Sequence, residues 1–222
     1  MHVPRKAFVR RARAYPEEVG VRWFCLFVIL CLLATGSAFA TSEKCATADE
    51  KPSGGLIFSL NNHAKSARVD VLDDGSIKWV AGGKDHSWMS LSGIVYAKSS
   101  RHLLPLSNGW QHYSGTNGYW APAEYSCADG LVVVSGLVKN GNWGDIGTLP
   151  SGCRPRHNLI FSQNNHANQA RVDVYTDGRI HWQAGGKDHS WTSLSGIIFS
   201  TTDASLLPLS NGWQHYLSLI HI

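Results

Sequence analysis

After residue 40 the sequence has no apolar run long enough to cross a membrane, no helical periodicity and no excess charge of either sign. Six of the 20 basic and two of the 16 acidic residues precede Thr41, which leaves fourteen of each beyond it. Without a basic patch, nothing supports a nucleic-acid partner or an anionic membrane surface. Catalytic signatures are missing as well: there is no strand–turn–helix nucleophile elbow, no phosphate-cradling glycine loop and no HExxH. Gly82-Gly83 precedes Lys84, but with no helix to follow it this is a turn. The isolated Asp and Glu residues form an acid–base pair only if tertiary structure brings two together. We therefore read neither an enzyme nor a cofactor.

What charge imbalance there is sits at the front. Arg5, Lys6, Arg10, Arg11, Arg13 and Arg22 precede the apolar run Trp23–Ala34, and small residues lead to Ala38-Phe39-Ala40. Basic region, short apolar core and A-x-A site make up a secretory signal peptide, expected over residues 1–40 with cleavage after Ala40. The run falls short of the roughly 18 residues that suggest a span, so no stable membrane span is expected after cleavage. An uncleaved signal anchor at the cell surface is the alternative. Residues 41–55 (TSEKCATADEKPSGG) are small and polar and read as a linker.

The remainder is dominated by repetition. Leu56–Tyr113 recurs as Leu159–Tyr216, 103 positions on and without insertion, and 41 of the 58 paired positions are identical. The period exceeds the roughly 20–50 residues of solenoid repeats, so each unit should hold its own core. Agreement stops abruptly after Tyr216: the last six residues, LSLIHI, match the translation of a transposon-end sequencing adapter, and 217–222 is read as an artefact. The expected organisation is a partial first repeat at 56–102, a complete unit at 103–205 and the start of a third at 206–216. The alternative permuted unit is 56–158.

Within each copy the pattern is β. Ala67–Ala81 alternates about Asp74-Gly75, and its twin Ala170–Ala184 about Asp177-Gly178, both hairpin signals. Val69, Val71, Ile77 and Trp79 should share a buried face, and Arg68, Asp70 and Lys78 a solvated one. Ser87–Ala97 reads as a further strand. Glu124–Gly141 is a second hairpin turning at Asp129-Gly130, followed by a proline-marked crossing through Pro150 and Pro155. Taken as one unit, Leu103–Ser200 gives seven or eight short strands at sandwich spacing. The expected fold class is all-β, tandem antiparallel β-sandwich modules.

The run LLPLSNGWQHYSGTNGYWAPAEYSCADGLVVVSGLV, then TLPSGCRPRHNLIF, ARVDVYTDGRI and SWTSLSGIIF, resembles the C-terminal module of phage tail-fibre and related bacterial surface proteins. The resemblance covers nearly all of 103–200 and half of it again in 56–102. It implies a β-sandwich tip used in attachment, often to surface glycans. The chain departs from that pattern at Cys127 and Cys153. Both lie in the complete unit behind a secretory signal, so a disulfide between them is expected, with Cys45 left over.

Three paired histidines, His63/His166, His86/His189 and His112/His215, invite a metal reading. A site would need several to converge with Asp85 or Asp188. The spacing shows no convergence, and no metal is assigned. Tryptophan suggests sugar recognition, because an indole face stacks on a pyranose while Asn, Asp and His read its hydroxyls. Trp79 and Trp182 are in phase with apolar neighbours and should be core. Trp120 and Trp143 sit beside glycines and should be exposed platforms. The candidate ligand-binding set is thus Trp120, Trp143, Asn62, His63, Asp85, His86 and Trp88, with the twins Asn165, His166, Asp188, His189 and Trp191. The sequence reads as a secreted tandem-repeat binding protein for surface glycans or glycoproteins, with self-association open. A structural coat or matrix protein is the alternative, and a hydrolase ranks third.

Overall fold

The computed structural model describes residues 51–114, 119–202 and 205–215. The expected signal peptide, the linker up to residue 50 with Cys45, and the 217–222 segment lie outside them. Among the described residues there is no α-helix; one 3-10 turn spans Ser151–Cys153. No helix there is long and apolar enough to cross a membrane.

Among the described residues fourteen strands form four antiparallel sheets, none closed into a barrel. The first sheet is a meander of β1 (Leu56–Asn62), β2 (Lys65–Val71) and β3 (Ile77–Gly82). Its counterpart in the second copy is β10 (Leu159–Asn165), β11 (Asn168–Val174) and β12 (Arg179–Gly185), with β9 (Asp145–Thr148) added at the β12 edge. The other sheets are β13 (Trp191–Ser193), β8 (Leu137–Lys139), β5 (Gln111–His112), and β14 (Ile197–Ser200), β7 (Leu131–Ser135), β6 (Glu124–Ala128), β4 (Arg101–Leu103). Both hairpins around Asp74-Gly75 and Asp177-Gly178 form, as does the β6–β7 hairpin over Asp129-Gly130. Several strands are shorter than the alternation suggests. β7 and β8 are one sequence run split at Gly136, where φ is +93° and a Cβ would stand 1.8 Å from the Pro122 carbonyl oxygen.

The main core lies between the β9–β12 sheet and the β7, β8 and β14 strands. It joins Val172, Val174, Ile180 and Ile146 to Val132, Val134, Val138, Ile197 and Phe199, with Leu104 and Trp110 from the stretch before. Cys127 and Cys153 are disulfide-bonded across this unit, with Cα atoms 5.8 Å apart, as the sequence leads one to expect. A second cluster gathers Leu56, Phe58, Leu60, Val69 and Val71 with Ala121.

Two expectations fail for one reason. Ser87–Ala97 contains no strand, although its twin supplies β13 and β14. Those two strands exist by pairing with β8 and β7, and the first copy has no counterpart of either among the described residues. Trp79 is 41% exposed and Ile77 49%, whereas Ile180 is buried and Trp182 packs against the main core. The edge of β12 is covered by β9, and β3 has no such neighbour among the described residues. Strands and buried indoles follow from partners, not only from alternation.

Candidate functional site

Each copy builds the same loop cluster, and backbone demands dictate it. The β1–β2 turn places His63 at φ +58°, and the β10–β11 turn places His166 at φ +62°. Across each turn runs the GGKDHSW loop. Its first glycine adopts φ +85° at Gly82 and +89° at Gly185, and a Cβ there would stand 2.6 Å or 2.5 Å from a carbonyl oxygen of the facing strand. Only glycine permits that approach. The next amide closes it: Gly83 N–H donates to the Ser66 carbonyl at 2.7 Å, and Gly186 N–H to the Gln169 carbonyl at 2.7 Å.

Asn62 and Asn165 then lock the loop. The side-chain amide of Asn62 donates to the carbonyls of His86 (3.2 Å) and Trp88, and its oxygen accepts from His86 N–H at 3.2 Å. Asn165 repeats this with His189 and Trp191. Both asparagines are buried with their amides committed to backbone, so they hold the loop's shape and present no group outward. The lysine of each loop lies over an indole, Lys84 over Trp79 (4.9 Å) and Lys187 over Trp182 (5.2 Å). Asp85 is ion-paired to Lys65 at 2.7 Å, and that hydrogen bond lowers its pKa. Asp188 accepts from Asn168.

The result is a packed set of three rings. His63 meets His86 edge-on at 4.6 Å, and Trp88 lies 5.7 Å from His86 and 6.4 Å from His63. In the second copy His166 and His189 are 4.7 Å apart, and Trp191 is 5.9 Å from His189. The histidines do converge, then, but on each other and a tryptophan. Among the described residues no three His, Cys, Asp or Glu side chains gather as a metal site.

The twin clusters differ in what stands on them. Trp88 is 50% exposed. Trp191 is half-buried because the first copy's Arg68 covers it, its guanidinium carbon 5.2 Å from the ring centre. The same guanidinium lies 5.5 Å from the Trp120 ring, contacts His166 Nδ1 at 3.3 Å, and donates twice to Asp70 at 2.7 Å. His166 has a lowered pKa, through burial first and then the charges of His189 and Arg68. It is therefore neutral and able to accept from Arg68.

Arg68 and Asp70, expected on a solvated face, are instead buried between the copies. Ser193 Oγ donates to the Ile57 carbonyl at 2.5 Å and Gln169 reaches Ser59 at 3.4 Å across the same junction. Trp120 belongs to this junction: its ring lies against Gly55, and Tyr119 stands edge-on to it at 4.8 Å. Trp143 joins neither cluster and packs between Trp110 (5.2 Å) and Trp182 (5.1 Å). Neither indole is the open platform that its glycine neighbours suggest.

Beside the open cluster, Lys65, Ser66, Lys84 and Asp85 face Ala167 and Gln169 of the second copy across a polar groove. Sequence reasoning missed Arg68 because Arg68 and Arg171 are identical by pattern. The apolar run Leu56-Ile57-Phe58 is no signal either, because Leu159-Ile160-Phe161 is the same string and Ile160 is exposed.

No protein-family model matches the chain, and no curated protein does. Among solved structures it is similar to the crystal structure of the receptor binding protein (gp15) of Listeria phage PSA. The two are 28% identical with a TM-score of 0.38, over 46% of this chain and 65% of that one, so the match spans less than two thirds of that chain.

Proposed function

We propose that the chain is an extracellular binding protein that recognises a surface glycan or glycoprotein through its first loop cluster. The observation that carries this reading is Trp88, half-exposed, ringed by His63 and His86 and set beside a polar groove. An indole face next to imidazole and hydroxyl groups offers a pyranose both stacking and hydrogen bonds. With basic and acidic residues balanced beyond Thr41, recognition depends little on ionic strength. No catalytic role is assigned, and secretion follows cleavage after Ala40.

The test is a glycan-array screen of the secreted chain, with calorimetry on any hit. Trp88→Ala should weaken binding by about 1–3 kcal/mol, the burial value of a large side chain, while Trp143→Ala acts only through stability. Loss of binding in neither variant removes the cluster from recognition. One observation favours a second reading, an extracellular coat or matrix component: Arg68 occupies the second cluster, so the same loop also serves to join modules.

A further inference from the structure

The junction inside the chain has two sides, and the twin of each stands more exposed in the other copy. On the donor side Ile57 is 1% exposed beneath the second copy, but its twin Ile160 is 60% exposed. The Arg68 side chain is 10% exposed, and that of Arg171 is 47%. Arg171 is bonded to Asp173 at 2.7 and 2.8 Å, just as Arg68 is to Asp70. It thus offers a neutralised guanidinium, not a bare charge that docking must strip of water. Ser162 repeats Ser59, the acceptor of the Gln169 contact.

On the acceptor side, His63, Trp88 and Ser90 are the twins of His166, Trp191 and Ser193. The rings are held in the same arrangement within a few tenths of an ångström. The Ser90 hydroxyl accepts from Ser92 N–H as that of Ser193 does from Ser195 N–H. Two acceptor groups lack a counterpart: Ser66 stands where Gln169 does, and the first repeated segment begins after the position of Trp120.

We propose that copies of this chain dock head to tail, the Ile160–Arg171 face of one onto the His63–Trp88 loop of the next, repeating the junction between its two halves. The contact is heterologous, and the operation relating the copies adds at each step, so association is open-ended unless the rotation closes a ring. This goes beyond ligand recognition and does not depend on it. The two compete for Trp88, so a sugar binds only the end of the chain that no neighbour covers.

Sedimentation velocity over a concentration series tests this on the full secreted chain. The wild type is expected to gain mass with concentration, past the dimer. Ile160→Asp removes the donor face and Trp88→Ala the acceptor; each alone should need at least about tenfold more protein to associate, equivalent to about 1.4 kcal/mol. Mixed in equal amounts, the two variants retain one good junction and should give a 1:1 dimer and nothing larger. Thermal unfolding confirms that both variants fold. A wild type that stays monomeric, a closed symmetric dimer, or variants that associate like wild type would each overturn the proposal. So would a chain extended by a further module that buries Ile160 while the unextended chain is monomeric. Sugar binding retained by Ile160→Asp but lost by Trp88→Ala separates this proposal from the ligand reading.

Discussion

Replacing Arg68 by alanine should be more costly than replacing its sequence twin. Arg68 and Arg171 occupy identical positions, each forked onto the aspartate two residues on. In the first copy the pair is enclosed, with the Arg68 and Asp70 side chains 10% and 7% exposed. Arg68→Ala strands the Asp70 carboxylate without its two donors and strips two indoles of their cation. Breaking a buried pair from one side costs about 3–5 kcal/mol. In the second copy Asp173 is 6% exposed but Arg171 lies half in solvent, so its loss opens a path for water and the cost is smaller, about 1–3 kcal/mol. At roughly 2–4 °C per kcal/mol for a domain of this size, the first variant should melt about 6–20 °C below wild type and the second about 2–12 °C below. Arg68→Lys keeps the charge but not the planar fork and should fall between them. Calorimetric scans of the three variants decide. Equal shifts for Arg68→Ala and Arg171→Ala would refute the assignment of Arg68 to a buried junction.

Acidification should loosen the same junction. Burial lowers the pKa of His166, with His189 and Arg68 acting in the same direction and Asp70 against it, and burial also lowers that of His112. A histidine with a depressed folded-state pKa takes up protons more readily when unfolded, so its contribution is complete above about pH 6.5 and lost as pH falls below it. A melting midpoint that is flat or rising from pH 7 to 5 contradicts this. Asn165→Ala, which abandons two carbonyls and an amide of the loop, should cost about 2–3 kcal/mol in urea unfolding; no change would mean the amide does not hold the loop. Non-reducing peptide maps should join Cys127 to Cys153, a closure that contributes about 3.5 kcal/mol in the chain-entropy account, and a link to Cys45 would contradict it. Limited proteolysis should leave a fragment near 103–205, and a stable fragment ending near Asn158 would favour the permuted unit.

Local chemistry was legible in the sequence wherever a residue's role depends on its immediate neighbours. The Asp-Gly hairpins and the all-β class are of this kind. The disulfide, whose cysteines stand 26 residues apart, was legible instead from their departure from the resembled pattern and from the expected secretory context. The glycine pair before Lys84 is not the turn expected: Gly82 ends β3, and Gly83 bonds across to Ser66 of β2 before the loop begins. What the sequence concealed depends on partners far along the chain. Ser87–Ala97 and its twin are nearly the same string, yet only the twin finds β7 and β8 to pair with. Trp79 and Trp182 differ in burial for the same reason. The candidate site was half legible. The His–Trp loops are brought together as the motif suggests, but Asn62 and Asn165 turn inward to the backbone, and Trp120 and Trp143 pack on other groups. An identical repeat carries no mark of which copy will be covered.

The central claim is that one repeated face is buried in the first copy and open in the second. Thiol labelling tests it most directly, comparing Ile57→Cys with Ile160→Cys in chains whose Cys25, Cys31 and Cys45 are serine, at concentrations too low for association. The Ile160→Cys thiol, at a position 60% exposed, should react at close to the rate of a free thiol. The Ile57→Cys thiol, at a position 1% exposed, should react only as fast as the two copies part. Equal rates at the two positions would mean that the copies do not pack through this face, and the account of the junction would fall with it.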